Sequence, residues 1–237
     1  MSIRILDRID LRLKTGGKEY LRLLLSYRAL FLSGVILFIP NLLTLPLGNW
    51  SLSPGFCNSI MLCTHDTSPW GVVTSVFLYD SWLNIPAYFL ILVAYVSPSD
   101  YLKSDERRKR ARFALVAMLF SAFLANSLWL LAKPATFSWG ASGVVYGLWG
   151  VLLAFTLGDG MPNQIKSWDI KTWYKNRSEA RFAISNLVLF ASTALVIVTE
   201  PGVFLSSGPG VNVFAHGISF LGGFFVTELY CRVHKHD

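Results

Sequence analysis

Charged side chains are scarce in this sequence. Asp, Glu, Lys and Arg make up 15% of its 237 residues, against about 25% in soluble domains. So little charge cannot clothe the surface of a water-soluble globule, which excludes an ordinary soluble enzyme. Cysteine and histidine are also few, at three and four residues. No CxxC or mixed Cys/His spacing occurs among them, so neither a metal site nor an organic cofactor is expected. Residues 1–28 lack the apolar core of a secretory signal peptide, which leaves targeting to the first membrane span. Internal repeats are missing too. That weighs against a transporter, since many of those folds carry internal symmetry.

What the chain does have is long apolar runs. Hydrophobic residues make up 53% of it, and the mean hydropathy is +0.48. A helix needs about 20 apolar residues to cross ~30 Å of hydrocarbon. Six segments meet that need, at roughly 29–48, 76–97, 113–132, 142–158, 181–200 and 212–231. The expected fold is all-α, a polytopic membrane protein with a six-transmembrane-helix bundle. It divides into a basic N-terminal segment (1–28), a six-span membrane domain (29–231) and a short tail (232–237).

A net charge of +7 raises the question of nucleic acid, and the placement of the charge answers it. The basic residues lie between the apolar runs, in residues 1–28, 98–112, 159–181 and the tail. These alternate segments hold 20 of the 21 Lys and Arg, leaving only Lys133 on the other side. That asymmetry predicts a multi-pass protein of the cell membrane with both termini cytoplasmic, and no nucleic-acid partner. Residues Ile5, Leu6, Ile9 and Leu13 have helical spacing. A helix on the inner membrane surface and a flexible basic tail both remain open there.

The fourth span begins at Ser142 in the run Ser-Trp-Gly-Ala-Ser-Gly-Val-Val-Tyr-Gly. Its length to Leu157 is about 24 Å, short for a bilayer core of ~30 Å. With its inner end marked by Gly158, Asp159 and Gly160, the outer end stops below the surface, so Ser142 sits at a helix N-terminus inside the membrane. Backbone N–H groups there have no intrahelical partner and carry partial positive charge. They suit an oxyanion formed when Ser142 attacks a carbonyl. Gly143, Gly147 and Gly150 fall within about 60° of one another on the helix, making a smooth stripe for close helix approach.

The sixth span holds the only histidine within an apolar run, His216. Ionisable residues at such positions face the bundle interior and are functional candidates. Ala215, Ser219 and Gly223, spaced by four, form a second ridge of small residues. Packing the two small-residue faces together brings the Ser142 hydroxyl to the His216 imidazole, the nucleophile-and-base relation of a serine hydrolase. No carboxylate is placed to orient the ring, so the pair is expected to act as a dyad.

These residues resemble the rhomboid family of intramembrane serine proteases. Gly140-Ala141-Ser142-Gly143 looks like that family's G-x-S-G nucleophile motif, and it runs on into Val144-Val145-Tyr146. Ala215-His216 looks like the opening of its A-H-x-x-G-x-x-x-G motif, with Ser219 in place of the first glycine and Gly223 keeping the second. The resemblance implies a bundle over residues 29–231, a catalytic Ser142 and His216, and Tyr146 packed on the histidine. It also implies transmembrane protein substrates cut on the outer side of the bilayer.

The second span departs from the family pattern. Trp70-Gly71 keeps the tryptophan of a Trp-Arg pair and loses the arginine. Tyr79 takes the first histidine slot, Asn84 the second, and Tyr88 the asparagine slot. By this alignment Asn84 and Tyr88 support the oxyanion, together with the backbone around Gly140, Ala141 and Gly143. A second register pairs Asp80 with Asn84. Cys57 and Cys63 share one loop and are read either as a disulfide or as thiols. That loop, about 49–75, is expected to dip into the outer leaflet. Two rival readings stand beside the protease: a rhomboid-like protein that binds membrane clients without cutting them, and a small transporter or channel.

Overall fold

The computed structural model describes residues 18, 21–44, 62–63, 71–77, 84–96, 99, 102–132, 137–138, 140–158, 180, 184–185, 187–188, 191 and 213–234. Its long elements are helices: α1 (Arg28–Thr44), a one-turn α2 (Gly71–Thr74) running into a 3₁₀ turn (Ser75–Phe77), α3 (Asn84–Val96), α4 (Ser104–Ala132), α5 (Ser142–Gly158) and α6 (Val213–Val233). One antiparallel ribbon of two-residue strands interrupts the helical pattern, β1 (Leu62–Cys63) and β2 (Phe137–Ser138), with Leu62 opposite Ser138 and Cys63 opposite Phe137. It ties the loop after α1 to the approach to Ser142. Most of the fifth expected span, Trp70, Asp80, Cys57, the Cys63 side chain and residues 1–17 lie outside the described residues.

α5 is apolar on every side, and 14 of its 17 residues are buried. A helix of that kind belongs in the middle of a bundle. α6 packs most extensively against it, with α4 and α3 on its other flanks. The outward faces of the surrounding helices carry Leu32, Ile36, Leu90, Val116, Phe120 and Phe225, all exposed. Ser121, Asn126, Ser142, Thr156, Ser219 and Thr227 lie buried within. An apolar exterior around a polar-lined interior suits lipid as solvent. Among the described residues, Ser104–Leu131 is the one helix long and apolar enough to cross a membrane by length and composition; Arg28–Pro40, Asn84–Val96 and Ser142–Gly158 are apolar but shorter.

Two elements differ from their expected bounds. α4 starts at Ser104 rather than near 113, because the basic stretch continues the helix. Asp105 and Glu106 in its first turn face the positive end of the helix dipole. Arg110 turns back to bond Glu106 at 2.9 Å and lies over the Phe155 ring at 5.0 Å. For the second span, expected from 76, the described residues show a short helical segment already over 71–77 and helix again over Asn84–Val96. Pro86 falls in the first turn of that helix, where a missing N–H does no harm.

Tyr88 also corrects an expectation. Read as an oxyanion donor, its hydroxyl instead donates to the Leu30 carbonyl at 2.8 Å and lies 3.0 Å from Ser33 Oγ, both on α1. Its ring meets Phe38 edge-on at 5.6 Å, and it is fully buried. Gly34 makes room for it: a Cβ there would stand 2.6 Å from the Tyr88 ring. The ring is long enough to carry the hydroxyl across the helix interface, so the group is spent on the α1–α3 contact. Tyr88→Phe is therefore expected to lower stability by about 1 kcal/mol while leaving the reactivity of Ser142 unchanged. Denaturation and fluorophosphonate labelling of the same preparation check the two halves of that statement.

Candidate active site

The site is built where α5 begins. Gly140 has φ 123°, a conformation that a side chain would strain. It turns the chain sharply into the helix, and its N–H donates to the Ser75 carbonyl at 2.9 Å. Ala141 is buried, and its carbonyl takes the first helical N–H groups, from Val144 at 3.0 Å and Val145 at 3.2 Å. The N–H groups of Ser142 and Gly143 precede these donors, so they are free of the α5 ladder and point out of the helix start.

Ser142 Oγ lies 2.7 Å from His216 Nε2. The two residues are 74 apart in the chain. What brings them together is the interlocking of the two small-residue faces. Gly150 rests against the backbone of Phe220 and Phe224, and Gly223 against the carbonyl of Gly147. The stripe on α5 also serves a second neighbour. A Cβ on Gly147 would come 2.9 Å from the Met118 carbonyl of α4, and one on Gly143 would lie 3.4 Å from Ser219 Oγ. The glycines thus seat α5 against two helices at once, not one.

The imidazole is held by stacking. The Tyr146 ring lies nearly parallel to it, at 12° and 4.5 Å between centroids. Tyr146 itself leans on Trp149, and Trp149 on Phe220 of α6. Nδ1 of His216 is buried and has no hydrogen-bond partner among the described residues, so no described carboxylate orients the ring. Ser219, one turn below His216, is fully buried and makes a long contact of 3.5 Å from its hydroxyl to the Ser121 carbonyl of α4. It fills a place where α4, α5 and α6 meet. Asn84 is buried as the first residue of α3.

The structure therefore gathers Ser142, Gly143, Tyr146, His216, Ser219 and Gly223 around one junction and sends the Tyr88 hydroxyl elsewhere. No group of three or more His, Cys, Asp or Glu able to hold a metal occurs among the described residues. Two residues that sequence reading missed stand behind the Gly140 turn: Ser75, whose carbonyl receives it, and Asn126 of α4. Asn126 donates to the Val72 carbonyl at 3.0 Å and to Ser75 Oγ at 3.2 Å. An asparagine inside the third apolar run was a usable signal for Asn126. Ser75 acts through its backbone as well, which leaves no trace in residue type.

Comparison with known proteins identifies the family. The chain is 28% identical over 196 residues to a protein of Toxoplasma gondii named rhomboid-like protease 3. That match takes in 83% of this chain and 60% of the relative, so the chain spans about three-fifths of the relative's length. The model of the rhomboid domain matches residues 66–233. This match includes α2 through α6, the Gly140 turn, Ser142 and His216, and it covers more than half of the sequence: the chain belongs to the rhomboid family and is a membrane-embedded helical protein.

Proposed function

We propose that this protein is an intramembrane serine endopeptidase that cleaves transmembrane or membrane-proximal segments of other membrane proteins. The observation that carries the reading is the 2.7 Å separation of Ser142 Oγ and His216 Nε2. At that distance a neutral imidazole accepts the hydroxyl proton as Oγ attacks the scissile carbonyl carbon. The carbonyl oxygen becomes an oxyanion near the N–H groups of Ser142 and Gly143. Asn84 is proposed to assist through its side-chain amide. Collapse breaks the C–N bond, and His216 returns the proton to the leaving amine. Water then attacks the acyl-serine, gives its proton to His216, and releases the carboxylate as the serine recovers its hydrogen.

Tyr146 takes over the orienting role that a carboxylate plays in a triad, because stacking confines the ring to one plane. Six spans with both termini in the cytoplasm place the site toward the outer leaflet. The substrate helix must unwind there to present a carbonyl, so helix-weakening residues near the cut favour cleavage. The name of the Toxoplasma relative, a protease, supports the same reaction class.

A second reading has one observation in its favour. The hydroxyl expected to help the oxyanion, Tyr88, is engaged by α1, which fits a client-binding relative with little turnover. Purified protein in proteoliposomes separates the two. Fluorophosphonate labelling of Ser142, lost in Ser142→Ala, together with cleavage of a single-span test protein, is expected for the protease. Clean absence of both in folded protein would falsify it.

A further inference from the structure

Asn126 lies in the last two turns of α4, a helix that faces lipid on one side, yet it is buried at 8% exposure. Leaving an amide unpaired in such a place is costly, so what it bonds to matters. Its Nδ2 donates to the Val72 carbonyl at 3.0 Å and to Ser75 Oγ at 3.2 Å. A carbonyl can only accept, so the nitrogen end of the amide must face this segment. One group thereby holds two points of the short stretch 71–77, three residues apart. The next link is backbone to backbone: the Ser75 carbonyl accepts the Gly140 N–H at 2.9 Å. Gly140, at φ 123°, is the turn that delivers Ser142.

We infer that Asn126 is a positioning residue for the nucleophile, acting through Val72 and Ser75 on the Gly140 turn. This rests on the serine protease reading and extends it to a residue that touches neither substrate nor dyad. The chain of contacts is physical and short. α4 supplies a rigid base, Asn126 fixes the 71–77 segment against it, and the Ser75 carbonyl fixes the height of the turn. Without the amide, the segment is free to slide along α4. The Ser142 hydroxyl and the N–H groups at the start of α5 then lose their common frame.

The test uses full-length protein in proteoliposomes, with active sites titrated by a fluorophosphonate and with a single-span test protein as substrate. Asn126→Leu keeps the bulk and removes the donors. Its kcat per titrated site is expected to fall about 10- to 100-fold, with KM changed less than about twofold. The fluorophosphonate inactivation rate should fall in parallel. Asn126→Gln, which retains an amide, should recover part of both rates. Ser75→Ala removes one acceptor and keeps the Val72 bond, so a smaller fall in the per-site rate is expected.

A residue important only for packing lowers the number of titratable sites and leaves the per-site rates alone; that result overturns the inference. If Asn126→Leu does not fold, Ser75→Ala and Asn126→Gln decide by the same per-site criterion. Folded wild-type protein that takes no label is a different failure, since it removes the serine chemistry itself.

Discussion

Ser142→Ala is expected to reduce peptide-bond hydrolysis to background, a loss on the order of 10⁴- to 10⁶-fold by comparison with soluble serine proteases. The alanine removes the attacking oxygen and nothing else of size, so the fold should persist. His216→Ala is expected to fall into the same range. Without the imidazole the hydroxyl must surrender its proton unaided at a site where bulk water is limited. The double variant should be no slower than either single one, because the two groups act as one unit. Cleavage of a single-span test protein, followed over hours, supplies the rates. Additive losses in the double variant would mean that the 2.7 Å contact is not the working pair.

The second large effect concerns a residue with no side chain. Gly150→Ala places a methyl carbon directly into the Phe220 carbonyl and against the Phe224 N–H of α6. Neither can rotate away, since both are backbone atoms inside a helix. Relief requires α6 to move away from α5. Overpacking usually costs about 1–3 kcal/mol, and a methyl pressed on backbone belongs at the upper end or beyond. The displacement has a chemical consequence as well. His216 stands one turn above Phe220 on the same helix, so shifting α6 withdraws the imidazole from Ser142. A misplacement of about 1 Å is enough to cost ~10²-fold in rate. Thermal unfolding and per-site labelling of Gly150→Ala should therefore both change. Gly143→Ala is the contrast for stability, because its added carbon meets Ser219 Oγ at 3.4 Å and Ala122 at 3.7 Å, both ordinary contact distances. A Gly150→Ala protein as stable and reactive as wild type would show that the α5–α6 contact is looser than described.

Parts of this were legible in residue order. The apolar run at 142–158 coincides with α5 (Ser142–Gly158), since a glycine-and-turn signal marks each end. Ser142 and His216 stood out because each is a polar group in apolar surroundings, beside small residues spaced for helix contact. The start of α4 was harder to read. Hydropathy locates apolar stretch, not helix, and the basic turns over 104–112 are helical without being apolar. The second span was hard to read for another reason. Hydropathy starts it at residue 76, yet helical structure is already present from Gly71, and the segment 71–77 supports Gly140 through the Ser75 carbonyl.

Sequence alone determined the solvent and supplied the candidates for the proposed chemistry. The scarcity of charge and the apolar runs called for a bilayer, and a serine and a histidine on small-residue faces are the groups proposed to react. Tertiary structure alone decided which polar groups serve the site and which serve the bundle. Tyr88 and Asn126 are both polar residues in apolar helices, and nothing in their neighbours tells them apart. One turns to α1 and the other to the segment beneath the Gly140 turn, because a hydrogen bond depends on where a side chain arrives in space, and that is set by helices distant in the chain.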